Sequence, residues 1–197
     1  TAAASVAMAI TAGTGASGAV LAGTTPVTSV SGAATFADLS IAKAGTGFTL
    51  TAAAAGLSSA VSGTFSIIPG AAATVTVSPA GASLSGVGAT QAFAVEVVKD
   101  SLGNTISDAV VTWSSLNPAV ATVNATTGVV TAVEAGQVTV AATSGAATGY
   151  ALVTVTIPGA TSVNLWVPMT GGGGSNTLVT VWGTSDTSVF ASGGGTV

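Results

Sequence analysis

Few side chains in this sequence could do chemistry. There is no His, Cys or Arg, and the basic residues are Lys43 and Lys99. A Ser or Thr nucleophile would lack the usual imidazole base, and paired-carboxylate catalysis would require two of the six scattered acidic residues to converge. We therefore expect no enzymatic activity and no cofactor.

Residues 99–108, KDSLGNTISD, hold a group of oxygen ligands. Asp100, Asn104 and Asp108 could gather a Ca²⁺ ion, which prefers carboxylate and amide oxygens. The order Asp-Ser-Leu-Gly-Asn is also ordinary turn chemistry, and the spacing lacks the bidentate Glu of an EF-hand. A turn is therefore favoured, and these three residues are weak metal candidates.

One motif could carry a covalent modification. Asn124-Ala125-Thr126 is the only N-glycosylation sequon, so Asn124 is the glycosylation candidate. The glycine run at residues 171–174 is not followed by Lys or by a helix start, which excludes a phosphate-binding loop.

The composition excludes several classes of partner. Charged residues make up 4% of the chain, against about 25% in ordinary soluble domains. Nucleic acid and anionic membranes are held by basic clusters, which this chain lacks. Apolar runs are too short for a membrane-spanning helix. A surface with so few charges is expected to be covered by neighbouring subunits or by glycans.

The elements that position these residues are predicted to be strands. Residues 110–132, VVTWSSLNPAVATVNATTGVVTA, alternate β-branched runs with Asn, Pro and Gly turns. Seven such strands over residues 74–157 predict an all-β sandwich with Trp113 in its core. The side chains predicted to point inward are Phe93, Val95, Val97, Val138, Val140, Val153, Val155 and Ile157.

The flanking segments also have the period of strands. Residues 1–68, here the first module, include SVAMAIT with Val6, Met8 and Ile10 on one face. Residues 69–73 form a linker, and residues 74–157 are the second module. The Gly-rich tail, residues 158–197, holds SVNLWVPM, TLVTVW and SVFAS, which predict two or three strands, a donor strand or the start of a further module.

The second module resembles a bacterial Ig-like domain of group 2. The resemblance rests on the Trp-Ser-Ser corner, Asn-Pro followed by Val-Ala-Thr-Val, Gly-Val-Val-Thr-Ala, and Ala-Gly before the penultimate strand. It implies tandem immunoglobulin-like β-sandwiches with a strand-forming tail. The matching residues are Trp113, Ser114, Ser115, Asn117, Pro118, Val120, Ala121, Val123, Gly128, Val130, Ala132 and Gly136.

The first module is similar to an Ig-like repeat common in large bacterial surface proteins. The segment Gly-Thr-Gly-Phe-Thr-Leu at residues 45–50 precedes the last strands in that repeat. Such repeats begin with one or two strands before the segment that matches SVAMAIT, and these strands are absent here. The first module is therefore expected to lack about two strands, whereas the tail has two or three to spare.

The strands lacking in the first module and the spare strands in the tail together predict that one subunit donates a strand to another. The expected function is a structural subunit of an extracellular fibre or cell-surface appendage, a homopolymer assembled head to tail. The alternatives are a structural or decoration protein of a phage virion, and a carbohydrate-binding adhesin that presents Trp166 and Trp182 to glycans. The predicted assembly interface consists of Val163, Leu165, Trp166, Val167, Leu178, Val179, Val181, Trp182, Val6, Met8 and Ile10.

Overall fold

The computed structural model describes residues 3–158 and, in the tail, two strands at residues 177–185 and 188–194. The described residues form strands, turns and loops without a helix, which confirms the all-β prediction. In this part of the chain there is accordingly no helix long and apolar enough to cross a membrane.

The first module consists of eight short strands in three small sheets. The order β3-β1-β6-β7 forms a four-stranded antiparallel sheet, and β2-β4 and β5-β8 are two-stranded sheets. Within the segment Gly-Thr-Gly-Phe-Thr-Leu, residues 45–48 form one strand, and Leu50 begins the next, which continues to Ala54. The strands are β1 (Ser5–Ile10), β2 (Leu21–Ala22), β3 (Val27–Thr28), β4 (Ser40–Ile41), β5 (Gly45–Phe48), β6 (Leu50–Ala54), β7 (Ala60–Val61) and β8 (Phe65–Ile67).

The second module is a sandwich with a continuous core. Its sheets have the orders β10-β17-β16-β13, β11-β15-β14 and β12-β9, and their buried side chains form one apolar cluster. The strands are β9 (Ala72–Ser78), β10 (Gly81–Ser85), β11 (Thr90–Ala92), β12 (Ala94–Asp100), β13 (Thr112–Ser115), β14 (Ala121–Val123), β15 (Val129–Ala132), β16 (Gly136–Ser144) and β17 (Ala147–Thr156).

Two strands of the tail pair with each other. β18 (Thr177–Ser185) and β19 (Ser188–Gly194) run antiparallel and place Trp182 opposite Phe190 in the ladder. The segments TLVTVW and SVFAS therefore form strands, as the sequence predicts.

Trp113 lies in the core, as predicted, with 5% of its surface exposed. Its ring packs at a tilt on Phe93, with centroids 6.4 Å apart. Gly128 allows this packing: its φ is +69°, and a Cβ there would lie 2.6 Å from the carbonyl oxygen of Phe93 and 2.8 Å from the Trp113 ring. The Gly of the predicted turn is thus required both by the backbone and by space.

Three features of the second module differ from the sequence prediction. The segment QAFAVEVV, predicted as one strand, is divided between β11, which pairs with β15, and β12, which pairs with β9. β10 was not predicted, and it pairs in parallel with β17 from Gly81 opposite Leu152 onward. In β12 a register shift between Val95 and Val97 breaks the strict alternation, so that Val98 is buried while Val97 is half-buried. The expectation that Val97 points fully inward is therefore wrong, because a β-bulge inserts one residue and reverses the phase that follows.

Candidate assembly surface

The first module has a sparse core. Among the apolar side chains of residues 3–68, Phe48 is the one that is fully buried, and it stacks on Phe65 with ring centroids 5.7 Å apart. The other seventeen buried apolar side chains among the described residues lie in the second module. Strands that bury so little apolar surface leave one face of their sheets half open to solvent.

This face contains two neighbouring grooves. One, of ≈ 170 Å³, is lined by Leu21, Leu39, Ser40, Ile41, Leu50, Phe65 and Ile67. The other, of ≈ 280 Å³, is lined by Met8, Leu50, Ala52, Ala60, Val61 and Ser62. Leu50 belongs to both grooves, so the two share a wall. Neither lining contains a charged side chain, which suits the uptake of an apolar segment.

Three of the predicted interface residues lie on β1. Val6, Met8 and Ile10 are half-buried on one face, as the alternation predicts. β1 is an inner strand: β6 pairs along its length, and β3 pairs with Ser5 and Val6. Beyond that pairing, the Thr25 hydroxyl accepts a hydrogen bond from the Met8 N–H at 2.7 Å. Val6, Met8 and Ile10 can therefore contact a guest strand with their side chains, but the backbone of β1 has little room to pair with one. An edge of this sheet lies instead at β7.

The remaining interface residues belong to the tail. Leu178, Val179, Val181 and Trp182 lie on β18, whose backbone pairs with β19. Val163, Leu165, Trp166 and Val167 lie outside the described residues. The involvement of both groups in assembly stays a prediction.

The structure brings two of the three metal candidates together. The Asp100 carboxylate accepts hydrogen bonds from the N–H groups of Leu102 at 2.9 Å, Asn104 at 2.8 Å and Gly70 at 2.9 Å, and from the Asn104 side-chain amide at 3.0 Å. Four donors thus occupy the oxygens that would face a cation, while Asp108 is exposed. Among the described residues, no group of three acidic residues could hold a metal ion.

These donors fix the charge state of Asp100. The Asn104 side chain and then the Gly70 N–H stabilise the carboxylate and lower its pKa from 3.8 to about 2, although burial acts in the opposite direction. The side chain and backbone of Thr24 lower the pKa of Asp38 in the same way. The Asp100 carboxylate organises its own loop, whereas the Asp38 carboxylate joins two segments by accepting from Thr24. Neither arrangement suits proton transfer or nucleophilic attack.

The sequon lies at the exposed tip between β14 and β15. The Asn124 side-chain oxygen accepts hydrogen bonds from the N–H groups of Thr126 at 3.0 Å and Thr127 at 2.9 Å, and the residue is exposed. The side chain thus organises the turn. Its glycosylation stays a prediction.

A larger groove in the second module, of ≈ 510 Å³, runs along β12 between Phe93 and Val98. Ala109, Val111 and Trp113 form part of its lining, and Glu96 is its one ionisable residue. A single carboxylate among apolar and hydroxyl side chains offers no partner for acid–base work.

A family model matches the second module. Residues 71–156 match the model described as bacterial Ig-like domain (group 2), which covers less than half of the chain. The resemblance based on the Trp-Ser-Ser corner and the turns that follow it is confirmed, with a match that starts three residues earlier and ends one residue earlier than predicted. No curated protein matches the chain at a significant level.

Several solved structures are similar to the chain. Domains 4 and 5 of the S-layer protein SbsC are 26% identical over 54% of this chain and 64% of that one, with a TM-score of 0.42. The C-terminal 282-residue fragment of intimin, solved with the intimin-binding domain of its translocated receptor, is 17% identical over 78% of this chain and 53% of that one, with a TM-score of 0.41. Mouse cadherin-23 EC22–24 is 14% identical over 77% of this chain and 53% of that one, with a TM-score of 0.37. The chain thus spans less than two thirds of each of these chains.

Sequence reasoning missed the contact between the modules. The Asn104 side chain bonds to the backbone of Ala42 and Ala44, about sixty positions earlier. A single sequence carries no signal for such a long-range pair. From its local sequence, the loop at residues 99–108 was predicted only to form an ordinary turn.

Proposed function

We propose that this chain is a structural, non-enzymatic subunit of an extracellular or cell-surface assembly, whose first module accepts a strand from another copy. The observation that carries the proposal is the sparse core of the first module beside an apolar face with two adjoining grooves. An Ig-like module that buries one large side chain gains little stability by itself. A strand from outside would complete its core.

The shape and chemistry of the face support an extended apolar guest. Leu50 joins the two grooves, and β7 offers a sheet edge beside the second groove, with Val61 58% exposed. A strand laid along such an edge gains main-chain hydrogen bonds, which set its register. Its alternate side chains would enter the grooves, which sets specificity.

The proposed guest is SVNLWVPM, residues 162–169, of a second copy. Its sequence places Val163, Leu165 and Val167 on one face, and Asn164 and Trp166 on the other. Burying three such apolar side chains contributes about 5 to 9 kcal/mol before the entropy cost of association. We prefer this segment to TLVTVW because β18 already pairs with β19.

The composition supports assembly in an exposed environment. The chain carries eight charged side chains, so subunits approach one another with little electrostatic repulsion. Ig-like modules joined in series suit a load-bearing or spacing role, and the geometry described above offers no constellation for catalysis.

A pair of single substitutions tests the proposal. Leu165→Asp puts a charge on the face proposed to enter the grooves and should abolish assembly. Asn164→Asp adds the same charge to the opposite face and should leave assembly intact. Electron microscopy and sedimentation velocity of the full chain and both variants provide the readout.

Deletion of residues 160–197 gives a second arm. The shortened chain should remain monomeric, and a synthetic peptide of residues 162–169 should bind it and raise its melting temperature. Filaments of normal length from the shortened chain, or from Leu165→Asp, would overturn the proposal.

A further inference from the structure

The side chain of Asn104 joins the two modules. Its Oδ1 accepts a hydrogen bond from the Ala44 N–H at 2.8 Å, and its Nδ2 donates to the Ala42 carbonyl oxygen at 2.9 Å. Ala42 and Ala44 both lie in the short connection between β4 and β5 of the first module. A planar amide that both donates to and accepts from one backbone segment fixes the angle of approach as well as the distance.

Asp100 holds Asn104 in this position. The Asn104 N–H and side-chain amide both donate to the Asp100 carboxylate, and the Asp100 N–H donates to the Asn104 carbonyl oxygen at 2.9 Å. The register shift between Lys99 and Asp100 at the end of β12 accompanies the burial of Asp100, which is 5% exposed. Contacts within the second module therefore orient Asn104 towards the first module.

The same carboxylate also holds the linker. The Gly70 N–H donates to Asp100 Oδ2 at 2.9 Å, the oxygen that receives the Asn104 amide. One buried carboxylate thus connects the second module, the linker and, through Asn104, the first module. Loss of a donor to Asp100 would leave this buried carboxylate short of a hydrogen bond, which is costly.

We infer that Asn104 is a positioning residue that holds the two modules in one fixed orientation, so that residues 3–156 behave as a single rigid unit. Modules connected by a short uncharged linker otherwise move relative to each other. A fixed orientation would give every subunit of an assembly the same geometry between its acceptor module and its Ig-like domain. The inference stands on the junction contacts and does not depend on strand donation.

Spin labels in the two modules test the inference. The chain has no native Cys, so Ser59→Cys and Thr122→Cys, both at exposed positions, label one site in each module. Distances between labels are measured by pulsed electron paramagnetic resonance in the full chain, diluted with unlabelled protein. We expect one narrow distribution, which Asn104→Ala should widen about twofold or more, as for domains on a free linker.

Two further variants separate the junction from general damage. Asn104→Asp keeps the size of the side chain but replaces its NH₂ group with an oxygen, so the bonds donated to Ala42 and Asp100 are lost. This variant should also widen the distance distribution. Asp108→Asn changes an exposed residue of the same loop and should leave the width as in the parent. Circular dichroism confirms that each variant is folded.

The outcome is decided by the widths of the distributions. Distributions of parental width in both folded Asn104 variants would overturn the inference, as would a broad distribution in the parent. Because the readout is intramolecular, either result is distinct from a failure to form filaments.

Discussion

Asp100 shows how one side chain acquires a role through its neighbours. Alone in the sequence it is a turn residue with weak metal potential, whereas in the fold its carboxylate receives four hydrogen bonds. Three of these donors come from its own loop, and the sequence already favoured turn chemistry there. The fourth, from Gly70, depends on how the linker returns to the end of β12.

The pKa of Asp100 predicts an acid-sensitive junction. The folded pKa of about 2 lies below the value of about 3.9 in an unfolded chain. The stabilisation is therefore fully present above about pH 4 and is lost as the pH falls from there through about 2. Unfolding free energy measured by urea titration should decline over this window in the parent protein.

Asp100→Asn should flatten this decline and lower stability at neutral pH, because an amide cannot accept all four donors. A residual slope is expected from Asp38, whose pKa is also lowered. Asp108→Asn is the matched control and should follow the parent curve. A decline in Asp100→Asn as steep as in the parent would assign the acid sensitivity to other groups.

At the scale of elements, β12 shows where a period-two pattern reaches its limit. The alternation predicted Phe93, Val95 and Val97 as inward residues, and the strand itself is confirmed. The bulge after Val95 moves the buried position to Val98, which is 3% exposed. The pattern QAFAVEVV contains Val at both positions, so composition could not distinguish the two phases.

A pair of neighbouring truncations tests the bulge. Val98→Ala should reduce the unfolding free energy by about 1 to 3 kcal/mol, because it opens a cavity in the core. Val97→Ala removes the same atoms from a half-buried site and should cost clearly less. Urea unfolding followed by circular dichroism measures both, and equal losses would contradict the observed phase.

The parallel strand β10 escaped prediction for a different reason. Its sequence, GASLS, has one large apolar residue, Leu84, which is 5% exposed in the core. So short a run between Pro79 and Gly86 looks like a loop when read locally. Its parallel pairing with β17, its neighbour in the same sheet, makes it a strand.

At the scale of the whole molecule, the low charge content bears on the proposed association of copies. The chain has eight charged side chains in 197 residues, so salt has few charge–charge interactions to screen. If association is driven by apolar burial and main-chain hydrogen bonds, the extent of assembly should change little between about 0.05 and 0.5 M NaCl. Sedimentation of the full chain across this range provides the measurement, and dissociation at high salt would point to ion pairs instead.

The sequence by itself determined the all-β class and the burial of Trp113, and the family match agrees with its resemblance to a bacterial Ig-like domain of group 2. The strands and turns follow from local rules, namely β-branched alternation and Asn-Pro and Gly turns.

Tertiary structure alone decided the phase of β12, the parallel pairing of β10 and the junction through Asn104. The pairing of β10 and the junction depend on residues that are distant in sequence, and the phase of β12 depends on an inserted backbone residue. The local periodicity of the sequence shows none of these three features. The loop at residues 99–108 illustrates the difference. Its residue types predict a turn, but the contact between the two modules places Asn104 against Ala42 and Ala44.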